Sequence, residues 1–185
     1  MQALLRLSQV IDDFMEKLGK FTYWLVPLVI LVGVWNVGGR YIGRLVGRNL
    51  SSNLFIELQW YLFAIIFLLG SAYVLKHNGH VRVDVFYGNW PTRRKILVNL
   101  LGAIFFLIPF SILMIHFSWS AVIFSWQIQE QSPDPFGLPR YPLKTVIIFC
   151  FSLLIIQGIS EIIKNVAMLT GHLHSADEPI SDQAT

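Results

Sequence analysis

The sequence predicts an all-α membrane protein with four transmembrane helices and an N-terminal amphipathic helix in the membrane interface. Three observations support this fold class. Hydrophobic residues make up 55% of the chain and charged residues only 14%, whereas soluble domains average about 45–50% and about 25%. Four apolar segments are each long enough to cross a hydrocarbon core about 30 Å thick as a helix. A stripe of apolar residues at helical spacing precedes the first of these segments.

The predicted transmembrane helices cover residues 21–41, 54–75, 96–126 and 143–163. We expect helices because an isolated strand would leave its backbone N–H and C=O groups unpaired in lipid. The third segment is longer than the hydrocarbon core requires, so we expect it to tilt, to project from the bilayer or to kink at Pro109. Cys150 is the single cysteine, and we interpret it as a packing residue of the fourth segment.

The chain divides into three parts. Residues 1–19 form an amphipathic helix that we expect to lie flat in the membrane interface or to pack on another subunit. Residues 20–165 form the four-helix transmembrane domain. Residues 166–185 form a polar C-terminal tail that we expect to be disordered. The apolar face of the first part consists of Leu4, Leu7, Ile11, Phe14 and Leu18.

The distribution of Lys and Arg predicts the orientation. These residues are more numerous in the N-terminal segment and the 76–95 loop than in segments 40–53 and 127–142, so both termini are expected in the cytoplasm. The net charge is +3, and the basic residues sit at the ends of apolar runs instead of forming a stripe on a polar surface. This pattern indicates anchoring to phospholipid and no nucleic-acid partner.

Glycine and arginine each recur every four residues at the outer end of the first span. If the helix continues through this segment, the glycines form a groove in which another helix can pack closely. The arginines then form a ridge beside the groove that can meet an acidic protein surface. The alternative is an interfacial anchor whose arginines contact lipid phosphates. The glycines are Gly39, Gly43 and Gly47, and the arginines are Arg40, Arg44 and Arg48.

Glu57 and Gln59 open the second span. An ionisable group at membrane depth is costly unless it is paired, and we expect Arg40 at the same outer depth on the neighbouring helix. We therefore interpret Glu57 as half of a structural ion pair or as a contact to a partner subunit. The alternative is a proton site, as in small self-assembling four-helix exporters.

No cofactor, metal or catalytic site is expected. His116 is the single histidine well inside a span, whereas a haem held between membrane helices takes a pair of histidines. His77, His80 and Asp84 have a spacing that would place three metal ligands on one helix face, but this combination arises often by chance. A cytoplasmic segment in the membrane interface is the simpler interpretation.

Three stretches make the chain similar to a known family. They are the second span with its continuation, ELQWYLFAIIFLLGSAYVLKHNGHVRVDVFY, the basic turn NWPTRRK, and SPDPFGLPRYPLKTVIIFCFSLLIIQGISEIIK. Over most of residues 20–165 the chain resembles the small membrane subunit (DctQ type) of tripartite ATP-independent periplasmic, or TRAP, transporters. The HVRVD motif, with His80, Arg82 and Asp84, is the most specific element. The SPDP-GLP stretch resembles the branch labelled for mannitol and chloroaromatic compounds.

The resemblance implies sodium-coupled uptake of an organic acid across a bacterial inner membrane. In this family a periplasmic binding protein captures the substrate, a large multi-span subunit carries the sodium and substrate sites, and the small subunit braces the static part. The residues agree with this role, because the sequence shows no inverted repeat, broken helix or polar midplane site of its own. We therefore expect no enzymatic activity.

Two surfaces are expected to serve these partners. Contacts to the large subunit are expected at Gly39, Gly43, Gly47, Arg40, Glu57 and Gln59. The outer loop is rich in proline and therefore stiff, which suits a docking surface but also a simple connector. With the outer arginines, this loop is expected to attract the binding protein electrostatically, through Arg44, Arg48, Pro133, Asp134, Pro135 and Arg140.

Overall fold

The computed structural model describes residues 1–48, 50–79 and 90–172, and all regular structure within them is helical. Four of its helical stretches are long and apolar enough to cross a membrane, which confirms the predicted all-α fold with four transmembrane helices. The elements are α1 (Gln2–Val46), α2 (Asn53–Lys76), α3 (Thr92–Gly102), a π-helical turn (Ala103–Leu107), α4 (Ile108–Gln127) and α5 (Tyr141–Leu169). The third span consists of α3, the π-helical turn and α4.

Helix α1 is much longer than a membrane crossing requires. Its 45 residues extend over about 68 Å at 1.5 Å per residue. Residues 1–19, predicted as a separate interfacial helix, are instead the first part of α1, and Ser8 and Met15 in this part are buried against the bundle. A Cβ atom built on Gly19 would lie 2.1 Å from the ring of Tyr73. The glycine at the expected boundary therefore lets α2 approach closely and does not break the helix.

The third span is irregular next to Pro109, where the sequence predicts a distortion. Proline lacks the N–H that would bond to the carbonyl four residues earlier, and its ring clashes with that carbonyl. The wider π-helical turn at Ala103–Leu107 immediately precedes α4, which has Pro109 in its first turn. The hydroxyl of Ser111 donates a 2.7 Å hydrogen bond to the Leu107 carbonyl one turn earlier, as serine side chains inside helices often do.

Helix α5 is the centre of the bundle, because it packs against each of the other helices. Its packing residues are small or polar, and they include Cys150, Gly158 and Ser160. The Cys150 thiol lies 3.3 Å from the Ser71 hydroxyl of α2. Large apolar side chains point outward instead, with Trp24 and Phe106 each 78% exposed. This arrangement suits lipid as the solvent, where helices associate through small residues and interhelical hydrogen bonds.

The helices bring both ends of the described chain to one side of the bundle. Glu16 of α1 contacts Lys76 at the end of α2, and Asp12 contacts Lys164 near the end of α5. We call this side the termini end. The opposite side, which carries residues 47–48, 50–52 and 128–140, is the loop end. Helix α5 continues past residue 165 to Leu169. The predicted disorder of the tail concerns mainly residues 173–185, which lie outside the described residues.

Candidate functional site

The loop end is organised around Glu57, which is only 6% exposed. Its carboxylate accepts hydrogen bonds from the Ser132 hydroxyl and from the Leu138 backbone N–H. One helical turn further along α2, the Tyr61 hydroxyl donates to the Pro139 carbonyl at 2.6 Å. Helix α2 therefore holds the proline-rich loop against the bundle through Glu57 and Tyr61.

The predicted ion pair between Arg40 and Glu57 is wrong. The carboxylate of Glu57 is occupied by the 132–138 loop, and the basic residue that acts on it electrostatically is Arg140. Arg40 is exposed and lines a groove together with Pro135 and Phe136 of that loop. The prediction rested on Arg40 and Glu57 lying at the same depth on neighbouring helices. It did not consider that residues 132–138 could bond to the Glu57 carboxylate.

The other end of this loop is fixed by Glu130. Its carboxylate accepts hydrogen bonds from the Lys144 ammonium and, at 2.6 Å, from the Ser125 hydroxyl. These two donors, Lys144 first, lower the pKa of Glu130 below its ordinary value of 4.5. The indole N–H of Trp126 also donates to Thr145 at 2.8 Å. Because the loop is held at both ends, its central residues have a defined position.

The residues predicted to dock the binding protein are mostly accessible at the loop end. Pro133, Asp134 and Pro135 are exposed, whereas Arg140 is half-buried near Glu57. Phe136 beside them is 88% exposed and has a positive φ of 60°. Arg44 and Arg48 are exposed at the end of α1. Arg40 and Arg44 line a shallow groove of about 210 Å³ with Val37 and Tyr41.

The glycine repeat packs against the chain's own residues just after α1 and does not form an open groove for a partner helix. Helix α1 ends at Val46, because Gly47 adopts a left-handed φ of 67° and the Arg48 N–H bonds back to the Gly43 carbonyl at 3.0 Å. A Cβ on Gly43 would lie 2.3 Å from the Arg48 carbonyl oxygen, and one on Gly39 would lie 3.0 Å from that of Leu50. The groove expected to receive a partner helix at these two glycines is therefore filled by the chain's own backbone at Arg48 and Leu50.

Gln59 also makes a contact within the chain. A Cβ built on Gly33 of α1 would lie 2.5 Å from the Nε2 atom of Gln59. The half-buried Gln59 side chain therefore packs across the α1–α2 interface, where the absence of a side chain on Gly33 makes room for it. Of the six residues expected at the large-subunit interface, Arg40 on the face of α1 and Gly47 just after it remain exposed.

A polar cluster at the termini end was not predicted from the sequence. The Asp12 carboxylate accepts from the Ser160 hydroxyl at 2.8 Å, from the Gln157 amide at 3.1 Å and from the Lys164 ammonium at 3.1 Å. The hydroxyls of Ser8 and Ser160 lie 2.7 Å apart. The available signal was the spacing of residues 157, 160, 161 and 164, which places polar side chains on one face of α5.

A second contact at the termini end joins α1 to α2. Glu16 accepts hydrogen bonds from the Lys76 ammonium at 2.7 Å, and its carboxylate lies 3.0 Å from the Nε2 atom of His77. The family-motif residues His80, Arg82 and Asp84 lie outside the described residues. Within the described ranges, no three His, Cys, Asp or Glu side chains are grouped as a metal site.

Comparison with known proteins gives a family match. The family model of the DctQ component of tripartite ATP-independent periplasmic transporters matches residues 29–168. A search of curated proteins and a search of solved structures each found no match. The matched region includes α2, the third span, nearly all of α5 and residues 29–46 of α1, together with the loop held by Glu57. The chain therefore belongs to the DctQ family, the small membrane subunits of TRAP transporters.

Proposed function

We propose that this chain is the static scaffold of a sodium-coupled TRAP transporter that takes up an organic acid across a bacterial inner membrane. Its family supplies the partners, which are a large TRAP membrane subunit and a periplasmic binding protein. The scaffold is the part against which the large subunit moves its substrate site.

The use of the polar side chains is the observation that carries this proposal. Four of the five described carboxylates that are not fully exposed hold helices and loops together, namely Asp12, Glu16, Glu57 and Glu130. The fifth, Glu161, accepts hydrogen bonds from Gln157 and Lys164 of its own helix α5. Transport sites usually lie where half-helices break near the membrane centre, whereas in the described part of the chain the helices are interrupted by one π-helical turn. These features favour a rigid support over a substrate pathway.

The rival function is a small proton-coupled exporter that uses Glu57. The bonds from Ser132 and the Leu138 N–H engage this carboxylate in anchoring a loop, so the scaffold is the better interpretation. Liposomes that contain the purified chain alone test the choice. We expect neither uptake of organic acid nor proton-coupled flux of drug-like cations. A flux that disappears in Glu57→Gln would support the exporter instead.

We further propose that both termini and the 76–95 loop lie in the cytoplasm. The bias of Lys and Arg toward these segments supports this orientation. The loop end then faces the periplasm, where Arg44, Arg48, Pro133, Asp134, Pro135 and Arg140 help to dock the binding protein. Positive charge at this end would raise the association rate of an acidic surface and make it sensitive to salt.

Charge reversal separates docking from contact with lipid phosphates, which is the alternative role of these arginines. In the reconstituted transporter, Arg44→Glu with Arg48→Glu should reduce uptake at low binding-protein concentration, and an excess of binding protein should restore it. Arg6→Glu is the matched control, because Arg6 is exposed at the opposite end of the bundle. An unchanged dependence on binding-protein concentration would assign the two arginines to lipid.

A further inference from the structure

We propose that the outward face of α4 around His116 and Ser120 is the surface that binds a transmembrane helix of the large TRAP membrane subunit. The proposal rests on the family assignment, which supplies that partner, and it adds the location of the contact on this chain. Neither residue belongs to the surfaces that the sequence motifs indicate.

The geometry of α4 places these two residues away from its own bundle. Ser111, Val122 and Ser125 are buried against the other helices and share one face of α4, because their spacings of eleven and three residues are close to whole turns. His116 and Ser120 are one turn apart on the opposite side, and both are exposed. The chain's own described helices therefore leave this face uncovered.

His116 lies deep in the span and has no hydrogen-bonding partner within the described part of the chain. It precedes the end of α4 at Gln127 by eleven residues, or about 16 Å along the helix axis. Its ring makes an edge contact with the ring of Phe117, with centroids 5.7 Å apart. An imidazole that faces acyl chains loses its hydrogen bonds to water and gains none, and polar side chains at this depth usually face protein or a water-filled cavity.

The other exposed faces of the spans suit lipid better. On α1 they present Trp24, Leu31 and Val34, and on α2 they present Trp60, Phe63 and Phe67. These side chains need no hydrogen bond at mid-span, and the tryptophans can place their N–H groups toward the membrane interface. The face with His116 and Ser120 thus combines exposure, depth and unused hydrogen-bonding capacity.

The side chains next to this face suit a partner helix of particular chemistry. Phe110, Phe117 and Phe124 are exposed and recur every seven residues beside His116, so they form an apolar ridge. Ser120 is small and permits close approach of another helix. The occupant should therefore be an apolar helix that carries one polar side chain able to bond to the imidazole. The large membrane subunit can supply such a helix, whereas lipid tails cannot.

Photo-crosslinking in membranes that contain the complete transporter tests the location. A benzophenone amino acid replaces Ser120 in one variant and Phe67 in the control, since Phe67 is 69% exposed on the apolar face of α2. We expect a covalent adduct with the large subunit from position 120 and mainly lipid adducts from position 67. A pair of linked small subunits, lipid adducts alone at 120, or a large-subunit adduct only from 67 would overturn the proposal.

A substitution series at His116 tests the polar contact. Because one interhelical hydrogen bond is lost, His116→Leu should reduce the large subunit that co-purifies by about threefold or more, and His116→Gln should restore part of it. The same His116→Leu change should leave the melting temperature of the isolated chain unchanged or higher. A lower melting temperature of the isolated chain would assign His116 to folding and contradict the proposal. If the unsubstituted chain captures no large subunit, the scaffold function itself fails.

Discussion

The polar cluster at the termini end makes the most quantitative prediction, because one carboxylate joins α1 to α5. Replacing Asp12 by alanine removes the acceptor for Ser160, Gln157 and Lys164. A hydrogen bond to a charged group contributes about 1.5–3 kcal/mol. The three contributions do not add, since Lys164 keeps Glu161 as a partner and the side chains of Asp12 and Lys164 are 20% and 25% exposed. We expect Asp12→Ala to lower the free energy of unfolding by about 2–3 kcal/mol.

Thermal unfolding of the full chain in detergent measures this loss. For a domain of this size, 1 kcal/mol corresponds to a shift of about 2–4 °C, so Asp12→Ala should lower the melting temperature by about 4–12 °C. Asp13→Ala is the matched control, because Asp13 is the next residue, has the same charge and is exposed. Its shift should stay within about 2 °C. Equal shifts for the two variants would refute the assignment of Asp12 as the link between α1 and α5.

Three further predictions concern the loop end. Gly43→Ala should reduce the folded yield in detergent, because its Cβ would lie 2.3 Å from the Arg48 carbonyl oxygen. Gly38→Ala should leave the yield unchanged, since no atom of the described residues lies within 4 Å of a Cβ built there. Equal yields for the two variants would contradict the close packing at Gly43. Because the pKa of Glu130 is lowered, its hydrogen bonds should hold the loop at neutral pH and be lost as the pH falls below 4.5 and through that lowered pKa. Amide hydrogen exchange in residues 128–140 should then accelerate. Exchange that is equally slow at pH 7 and pH 3, after correction for intrinsic rates, would refute this prediction. Asp134→Cys, in a Cys150→Ala background, should react with an impermeant maleimide in intact spheroplasts, and labelling only after lysis would reverse the orientation.

The sequence predicts the helices well because lipid imposes a simple requirement. Continuous apolar runs must satisfy their backbone groups internally, so the four spans follow from hydropathy. The irregular turn in the third span follows from the missing N–H of Pro109. Neither prediction depends on knowing which helices are neighbours.

The contacts between side chains of different helices were harder to predict, because they depend on how the helices are aligned along one another and on the paths of the loops. Asp12 and Lys164 are joined although 152 residues separate them, and nothing local in the sequence specifies that contact. The predicted Arg40–Glu57 pair is wrong because residues 132–138 occupy the Glu57 carboxylate. The predicted groove for a partner helix is filled because Gly47 ends α1 in a left-handed conformation and the backbone that follows packs over Gly43.

The central claim is that this chain is required for transport without carrying the substrate itself. The most direct measurement is sodium-driven uptake of organic acid into liposomes that contain the large membrane subunit and its binding protein, with this chain present or omitted. The scaffold account predicts uptake with all components and a fall to background when this chain is left out, although the large subunit is present in equal amount. Undiminished uptake without this chain would contradict the account.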